Sequence, residues 1–338
     1  MDSLVLTFSL AKQHRVRYTK NRLIVPIQIM YLSEHTIKTL KEKFKELNSL
    51  RPIPPSIFKK IKEQFEIEMT YNSNAIEGNS LTLKETFWVI QEGLTIKNKP
   101  LKDHLEAKNH KEALDFLYDL TDSKQKNIIS EHLIRQLHQL IVQDSERDIA
   151  GKYRNGDVII GGAKHRPPSY IEISHLMSEL IKWLSKNQKS HHIVELAAIL
   201  HQKFVNIHPF WDGNGRTGRL LMNILILNAC YPLAIILKND RKKYYRVLSL
   251  ADEGQYKPLC EFIAQTVIRS LNIYLKILKP AKNKKEKYVS LGELSEKSSY
   301  SAAYLKKLIN QGKLEGLKEG RNWLSSEQNL KAYMKSIK

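Results

Sequence analysis

The segment Ile207-His-Pro-Phe-Trp-Asp-Gly-Asn-Gly-Arg-Thr-Gly-Arg219 constrains this chain more than any other. Ahead of it, Glu195-Leu-Ala-Ala-Ile-Leu-His-Gln-Lys-Phe-Val205 carries apolar residues at helical spacing, and the text from Arg216 to Cys230 does so again. The order is helix, polar loop, glycine-rich turn, helix. Gly213, Gly215 and Gly218 superficially match a dinucleotide fingerprint, but that fingerprint needs a strand directly before it. A helix stands there instead, which argues against a Rossmann fold, and no Walker loop occurs.

Free N–H groups from Gly213 to Gly215 would lie at the mouth of the second helix, where the dipole also favours an anion. Arg216 and Arg219 are three residues apart, so both would project beside that mouth. Two guanidiniums beside an amide nest describe a polyphosphate site. Asp212, just before the nest, would hold a Mg²⁺ that bridges phosphates. His208, titrating near neutrality, would take the proton from an attacking hydroxyl. A lone histidine or a lone glycine turn is more often structural; their combination between His208 and Arg219 argues for a site.

His208-Pro-Phe-Trp-Asp-Gly-Asn-Gly-Arg-Thr-Gly-Arg219 resembles the Fic signature, His-x-Phe-x-[Asp/Glu]-Gly-Asn-Gly-Arg-x-x-Arg, at every defined position. The resemblance extends over roughly residues 60–278 and implies a mainly α fold, a helical bundle with a β-hairpin flap. It implies a protein adenylyltransferase that moves AMP from ATP, with Mg²⁺, onto a Ser, Thr or Tyr hydroxyl of a protein. His208 would then be the base and Asp212 the metal ligand. Gly213, Asn214, Gly215, Arg216, Thr217, Gly218 and Arg219 would bind the nucleotide, with the two arginines on the β- and γ-phosphates. Ile160, Gly161, Gly162 and Ala163 would form the flap and pin the target as an added strand. Tyr244, Tyr245 and Asp252 fall where the family lines its adenine pocket. Packing within a helix explains the tyrosines equally well, and Asn is frequent at the position of Asp252.

Ser73-Asn-Ala-Ile-Glu-Gly78 sits where a helix should end, with Gly78 as a left-handed cap. A carboxylate at Glu77 would face the negative end of that helix unless a cation meets it. The string is similar to the family's inhibitory motif, [Ser/Thr]-x-x-x-Glu-[Gly/Asn], which implies that Glu77 pairs with Arg219 and displaces the γ-phosphate. An ordinary exposed glutamate is the competing account. His191, His192 and His201 lack a third ligand at a suitable spacing and read as structural or solvated.

Charge divides the chain. Lys+Arg number 55 against 35 Asp+Glu, a net +20, of which residues 1–62 carry +9 and residues 279–338 carry +8. A nucleic-acid partner should therefore touch an end rather than the centre, although solvated lysines fit the charge as well. No stretch approaches the length of a membrane span, the apolar run Leu4–Leu10 lacks the basic lead of a signal peptide, and Cys230 and Cys260 read as buried thiols. The expectation is a cytoplasmic protein without a membrane partner.

The resemblance and the composition together imply the domain boundaries. Residues 1–100 form an N-terminal helical region with the inhibitory motif, whose first 31 residues read as strand or irregular; residues 101–278 form the catalytic core. Residues 279–287 are a polar linker and 288–338 a separate module. Asp157-Val-Ile-Ile-Gly-Gly-Ala-Lys-His-Arg-Pro-Pro168 reads as the hairpin. The last module reads as helix, turn, helix, hairpin, and resembles a winged helix-turn-helix of the excisionase or MerR-like type. Such modules place the second helix in the major groove, which makes Tyr304, Lys306, Lys307 and Arg321 the candidate DNA contacts. The same shape also serves protein contacts. The sequence leaves open the target protein, self-modification and a homodimer. It also leaves open a DNA-binding nucleotide sensor without turnover, another nucleotide or phosphate transfer, and removal of AMP.

Overall fold

Ser33, Thr82, Ser130 and His192 each accept a hydrogen bond from an N–H in the first turn of a helix, and these caps set where four long helices begin. A computed structural model describes residues 30–122, 129–162, 164–188, 190–279, 288–319 and 322–336. The chain divides into two compact units, residues 1–278 and 279–338.

In the first unit, α1 (Glu34–Ser49), α2 (Pro55–Ile76), α3 (Leu83–Gln91) and α4 (Leu101–Asp122) precede α5 (Glu131–Val142) and α6 (Ile173–Asn187). Then come α7 (Ile193–Ile207), α8 (Asn214–Asn228), α9 (Arg241–Asp252) and α10 (Tyr256–Leu278). Helices α7 and α8 are buried on nearly every face, polar residues included, and form the centre of the bundle. Their close approach depends on Gly218: a methyl group there would lie 2.9 Å from His201 Nδ1 and 3.0 Å from Val205. Phe65, Leu114, Leu137, Leu200, Leu221 and Ile263, from six helices, share one core. Helix α9, a basic segment, buries the stripe Tyr244, Val247 and Ala251, so the two tyrosines do lie within a helix. The irregular stretch expected at the N-terminus lies, up to residue 29, outside the described residues.

Two expectations need correction. The segment from Asp157 to Pro168 forms no paired strands among the described residues. The buried Arg154 takes the place of the ladder: its guanidinium donates to Gly156 O at 2.8 Å and Pro168 O at 2.5 Å, closing the base of the loop. Pro167 and Pro168 have no N–H to offer a partner strand. Cys230, read as a buried thiol, is exposed just past the end of α8 in a left-handed conformation with φ 63°, whereas Cys260 is buried.

Three histidines, His110, His138 and His201, lie in the core. Burial pushes them down to about 3, about 4 and about 3 respectively. In the unfolded chain each protonates near pH 6.5. Below that value the unfolded state binds more protons, so stability is full above pH 6.5 and falls as the pH drops towards 4. The slope approaches about 1.4 kcal/mol per pH unit for each histidine. Urea midpoints should therefore drop markedly between pH 7 and pH 5; a flat profile would contradict this burial.

The second unit contains β1 (Val289–Ser290), α11 (Leu291–Glu296), α12 (Ala302–Asn310), β2 (Leu317–Glu319), β3 (Asn322–Ser325) and α13 (Glu327–Ser336). The strands are antiparallel in the order β1-β3-β2. Leu291, Leu294, Leu305, Leu308, Leu314 and Leu330 make a small core of its own. Among the described residues, no helix is long and apolar enough to cross a membrane.

Candidate active site

The loop between α7 and α8 is locked by its own side chains. Asn214 Oδ1 accepts from Phe210 N at 2.9 Å while its Nδ2 donates to Phe210 O at 2.8 Å, so the amide brackets the turn. His138 reaches in from α5. Its Nδ1 accepts from Gly151 N at 3.0 Å, which assigns the proton to Nε2, and Nε2 donates to Asp212 O at 3.0 Å. The imidazole also stacks on Phe210 with centroids 3.6 Å apart.

His208 ends α7 in a left-handed conformation with φ 51° and ψ 58°. Arg154 Nε donates to its carbonyl at 2.9 Å, and Arg154 N donates to Pro209 O at 2.9 Å, fixing this strained corner. His208 Nδ1 faces Val205 O at 3.3 Å. A carbonyl only accepts, so the proton is assigned to Nδ1 and the lone pair to Nε2. Burial, with Arg154 nearby, lowers its pKa despite the opposing pull of Val205 O and Glu77. Neutral at physiological pH, this imidazole is a competent base.

At the start of α8, Asp212 Oδ1 accepts from Gly213 N at 2.6 Å. The N–H groups of Asn214, Gly215 and Arg216 follow, without carbonyls of their own helix to reach. The side-chain amide of Asn214 is spent on the turn, Thr217 is buried and Gly218 lies against α7, so any phosphate contact from Asn214 comes through its backbone.

The two arginines have separate settings. Arg216 is buried between Glu106 Oε1 at 3.0 Å and Asp212 Oδ2 at 3.2 Å. It does not line the cavity described below. Arg219 Nε donates to Ser73 Oγ at 2.9 Å and its Nη2 to Ser73 O at 2.8 Å and Glu77 Oε1 at 2.7 Å. The Ser73 carbonyl is available because the last turn of α2 tightens, with Glu77 N bonded to Asn74 O. Glu77 also lies against Gly215: a methyl group on that glycine would fall on Glu77 Oε1. Its carboxylate thus fills the mouth of α8. Burial would lower the pKa of Arg219, but Glu77 and Tyr244 outweigh it and raise it.

A cavity of about 940 Å³ opens here. His208, Gly215, Arg219 and Glu77 line it together with Ile160, Gly161 and Gly162 of the loop and Tyr244, Tyr245 and Asp252 of α9. Ala163 lies outside the described residues. Tyr244 is buried at the floor, its hydroxyl 2.6 Å from His201 Nε2, while Tyr245 is partly exposed. Asp252 Oδ1 accepts from Gln202 at 2.8 Å and from Asn206 at 3.0 Å.

Residues 128–226 match the sequence profile of the Fic/DOC family. The protein adenylyltransferase Fic of Drosophila mojavensis is 35% identical over 248 residues, which cover 73% of this chain and 48% of that protein. A Fic-domain-containing signalling protein from Bacteroides thetaiotaomicron superposes with a TM-score of 0.66 at 30% identity, over 71% of this chain and 96% of that one. The chain belongs to the Fic family. A Fic family protein from Desulfovibrio desulfuricans, at 21% identity and a TM-score of 0.61, shares the fold over 91% of this chain. The chain spans about half the length of the curated relatives it matches.

Within this Fic fold, several site residues carry no mark in the local sequence. Lys102 and Glu106, one turn apart on α4, face Asp212 and Arg216, with Lys102 Nζ 3.9 Å from Asp212 Oδ2 and 2.6 Å from Glu146. Asn79 Nδ2 holds Glu106 Oε2 at 2.9 Å, and Arg241 Nε caps Ile76 O at 2.7 Å. Burial alone would raise the pKa of Asp212, but Arg216, the Gly213 N–H and Lys102 hold it below the ordinary value. A cation capping a helix end has a local rationale at Arg241; the contacts of α4 with Asp212 and Arg216 join residues 110 positions apart and have no local signal.

Proposed function

We propose that the chain is a protein adenylyltransferase, moving AMP from ATP to a Ser, Thr or Tyr hydroxyl of a protein, and that Glu77 holds the site shut. One observation carries this reading: the free Nε2 of His208, the mouth of α8 and the guanidinium of Arg219 serve a single cavity, with a carboxylate where a phosphate would lie. The adenylyltransferases among its relatives support it.

The hydroxyl oxygen attacks the α-phosphorus of ATP and passes its proton to His208 Nε2. A new O–P bond forms, the α–β bridge breaks and pyrophosphate leaves. The N–H groups of Asn214 and Gly215 stabilise the phosphate charge with the dipole of α8. Arg219 takes the γ-phosphate once Glu77 withdraws. Asp212 suits Mg²⁺: its Oδ2 is partly exposed, and Mg²⁺ commonly takes one or two carboxylates and completes its shell with phosphate oxygens and water. The ion, when bound, neutralises phosphate charge. Arg216 acts through Asp212, which it orients. The loop segment 157–160, which pairs with no strand among the described residues, offers backbone along which the target chain can lie.

Incubation of the full chain and a Glu77→Gly variant with Mg²⁺ and ATP labelled at the α- or γ-phosphate tests the reading. Label should stay on protein after denaturation from the α-position only. Retention from the γ-position would indicate phosphorylation, and no retention in either protein would indicate a nucleotide sensor. Mass spectrometry after incubation with mixed nucleotides identifies the group transferred.

A further inference from the structure

The transferase reading leaves the C-terminal unit unused. Helix α12 buries Leu305 and Leu308 in the unit's core, and at 100° per residue the opposite face consists of Ala303, Lys306, Lys307 and Asn310, all exposed. Lys313 follows beyond Gly312, also exposed. From Lys297 to Leu314 the chain contains no Asp or Glu. The unit's described helical carboxylates stand elsewhere: Glu293 and Glu296 on α11, and Glu327 on α13, where it pairs with Lys297 at 2.9 Å. Glu315 and Glu319 lie in the hairpin segment. Lys306, Lys307 and Lys313 make no ion pair among the described residues. Three of the unit's lysines thus share one helix face and its following turn, a surface that carries no carboxylate among the described residues.

We propose that this face binds duplex DNA, with α12 in the major groove. Nine residues make a helix about 14 Å long and about 10–12 Å across, which the major groove of B-DNA admits and the narrow major groove of duplex RNA does not. Ala303 at the centre of the face permits close approach. Asn310, the one amide on it, has the paired donor and acceptor that read an adenine edge. Lys306, Lys307 and Lys313 meet phosphates. Tyr304, stacked on Tyr300 with centroids 5.4 Å apart and hydrogen-bonded to Tyr333, lies at the border between this face and the core stripe and is not needed for the argument. Arg321 lies outside the described residues and carries none of this argument.

Fluorescence anisotropy of the full chain on a labelled random-sequence duplex, between about 50 and 200 mM salt, tests the proposal. Affinity should fall linearly on a log–log scale. A variant carrying Lys306→Ala, Lys307→Ala and Lys313→Ala should show a slope shallower by about 0.9 for each phosphate lost, about 2.7 in all. Asn310→Ala should keep the slope but weaken binding to a site selected from a random pool by about 5–150-fold. Transferase activity should be unchanged in the triple variant, so a failure here is separate from a failure of the catalytic reading. A triple variant with the wild-type slope would overturn the proposal and assign binding to the other basic end. Absence of salt-sensitive duplex binding would overturn it too, leaving the unit a protein-contact role.

Discussion

Changing His208 to alanine is expected to lower AMP transfer by about 10²–10⁴-fold, the range for loss of a general base, with ATP affinity nearly intact. The two effects separate because the phosphate cradle does not include the imidazole. The N–H groups of Asn214 and Gly215 belong to α8, and Arg219 is held by Ser73. The corner itself should survive, since Arg154 grips the backbone carbonyls of His208 and Pro209 rather than the ring. A pH profile gives an independent check. Burial keeps His208 unprotonated to a lower pH than a free histidine, so the acid limb of kcat/KM should fall below pH 6.5. Calorimetric titration with ATP beside single-turnover rates measures both quantities. Undiminished labelling by a folded His208→Ala protein would remove this residue from the mechanism.

The features that reveal His208 in sequence are local, and that decides what could be read in advance. Apolar stripes and caps mark most of the helices because 3.6-residue periodicity is written within a dozen residues. The glycine-rich turn between two such stripes marks the phosphate cradle for the same reason. The partners that orient the site are polar residues on other helices, and in sequence they look like solvated surface. Lys102 and Glu106 on α4 and His138 on α5 acquire meaning only when packing brings them to Asp212 and Arg216. The loop at 157–168 shows the converse failure. Val158-Ile-Ile160 followed by two glycines carries strand propensity, yet no ladder forms. The buried Arg154 satisfies the loop's carbonyls, and a tertiary contact overrides the local preference. Their three-residue spacing puts Arg216 and Arg219 together, but each is steered by the carboxylate it meets, Glu106 for one and Glu77 for the other.

That last pair supports the second large effect. Glu77→Gly is expected to raise transfer by about 5–150-fold at saturating ATP, the range spanned by a coupling of about 1–3 kcal/mol. The wild-type carboxylate and the phosphate of ATP compete for the same two positive elements, the guanidinium of Arg219 and the mouth of α8 at Gly215. Removing Glu77 leaves both without an internal anion. Breaking a fully buried ion pair costs about 3–5 kcal/mol. Here the cost should be smaller, because Glu77 is 33% exposed and Arg219 keeps both contacts with Ser73. The variant should accordingly melt lower than wild type without ligand and recover more of its Tm when ATP is added, since a ligand that binds only the folded state stabilises it. Glu77→Gln, which keeps the shape and loses the charge, should fall between the two. Arg219→Ala in the Glu77→Gly background should cancel the gain, because the freed cation is what the γ-phosphate meets. Equal labelling by wild type and Glu77→Gly at saturating ATP would mean that the ion pair is structural and that Glu77 does not gate the site.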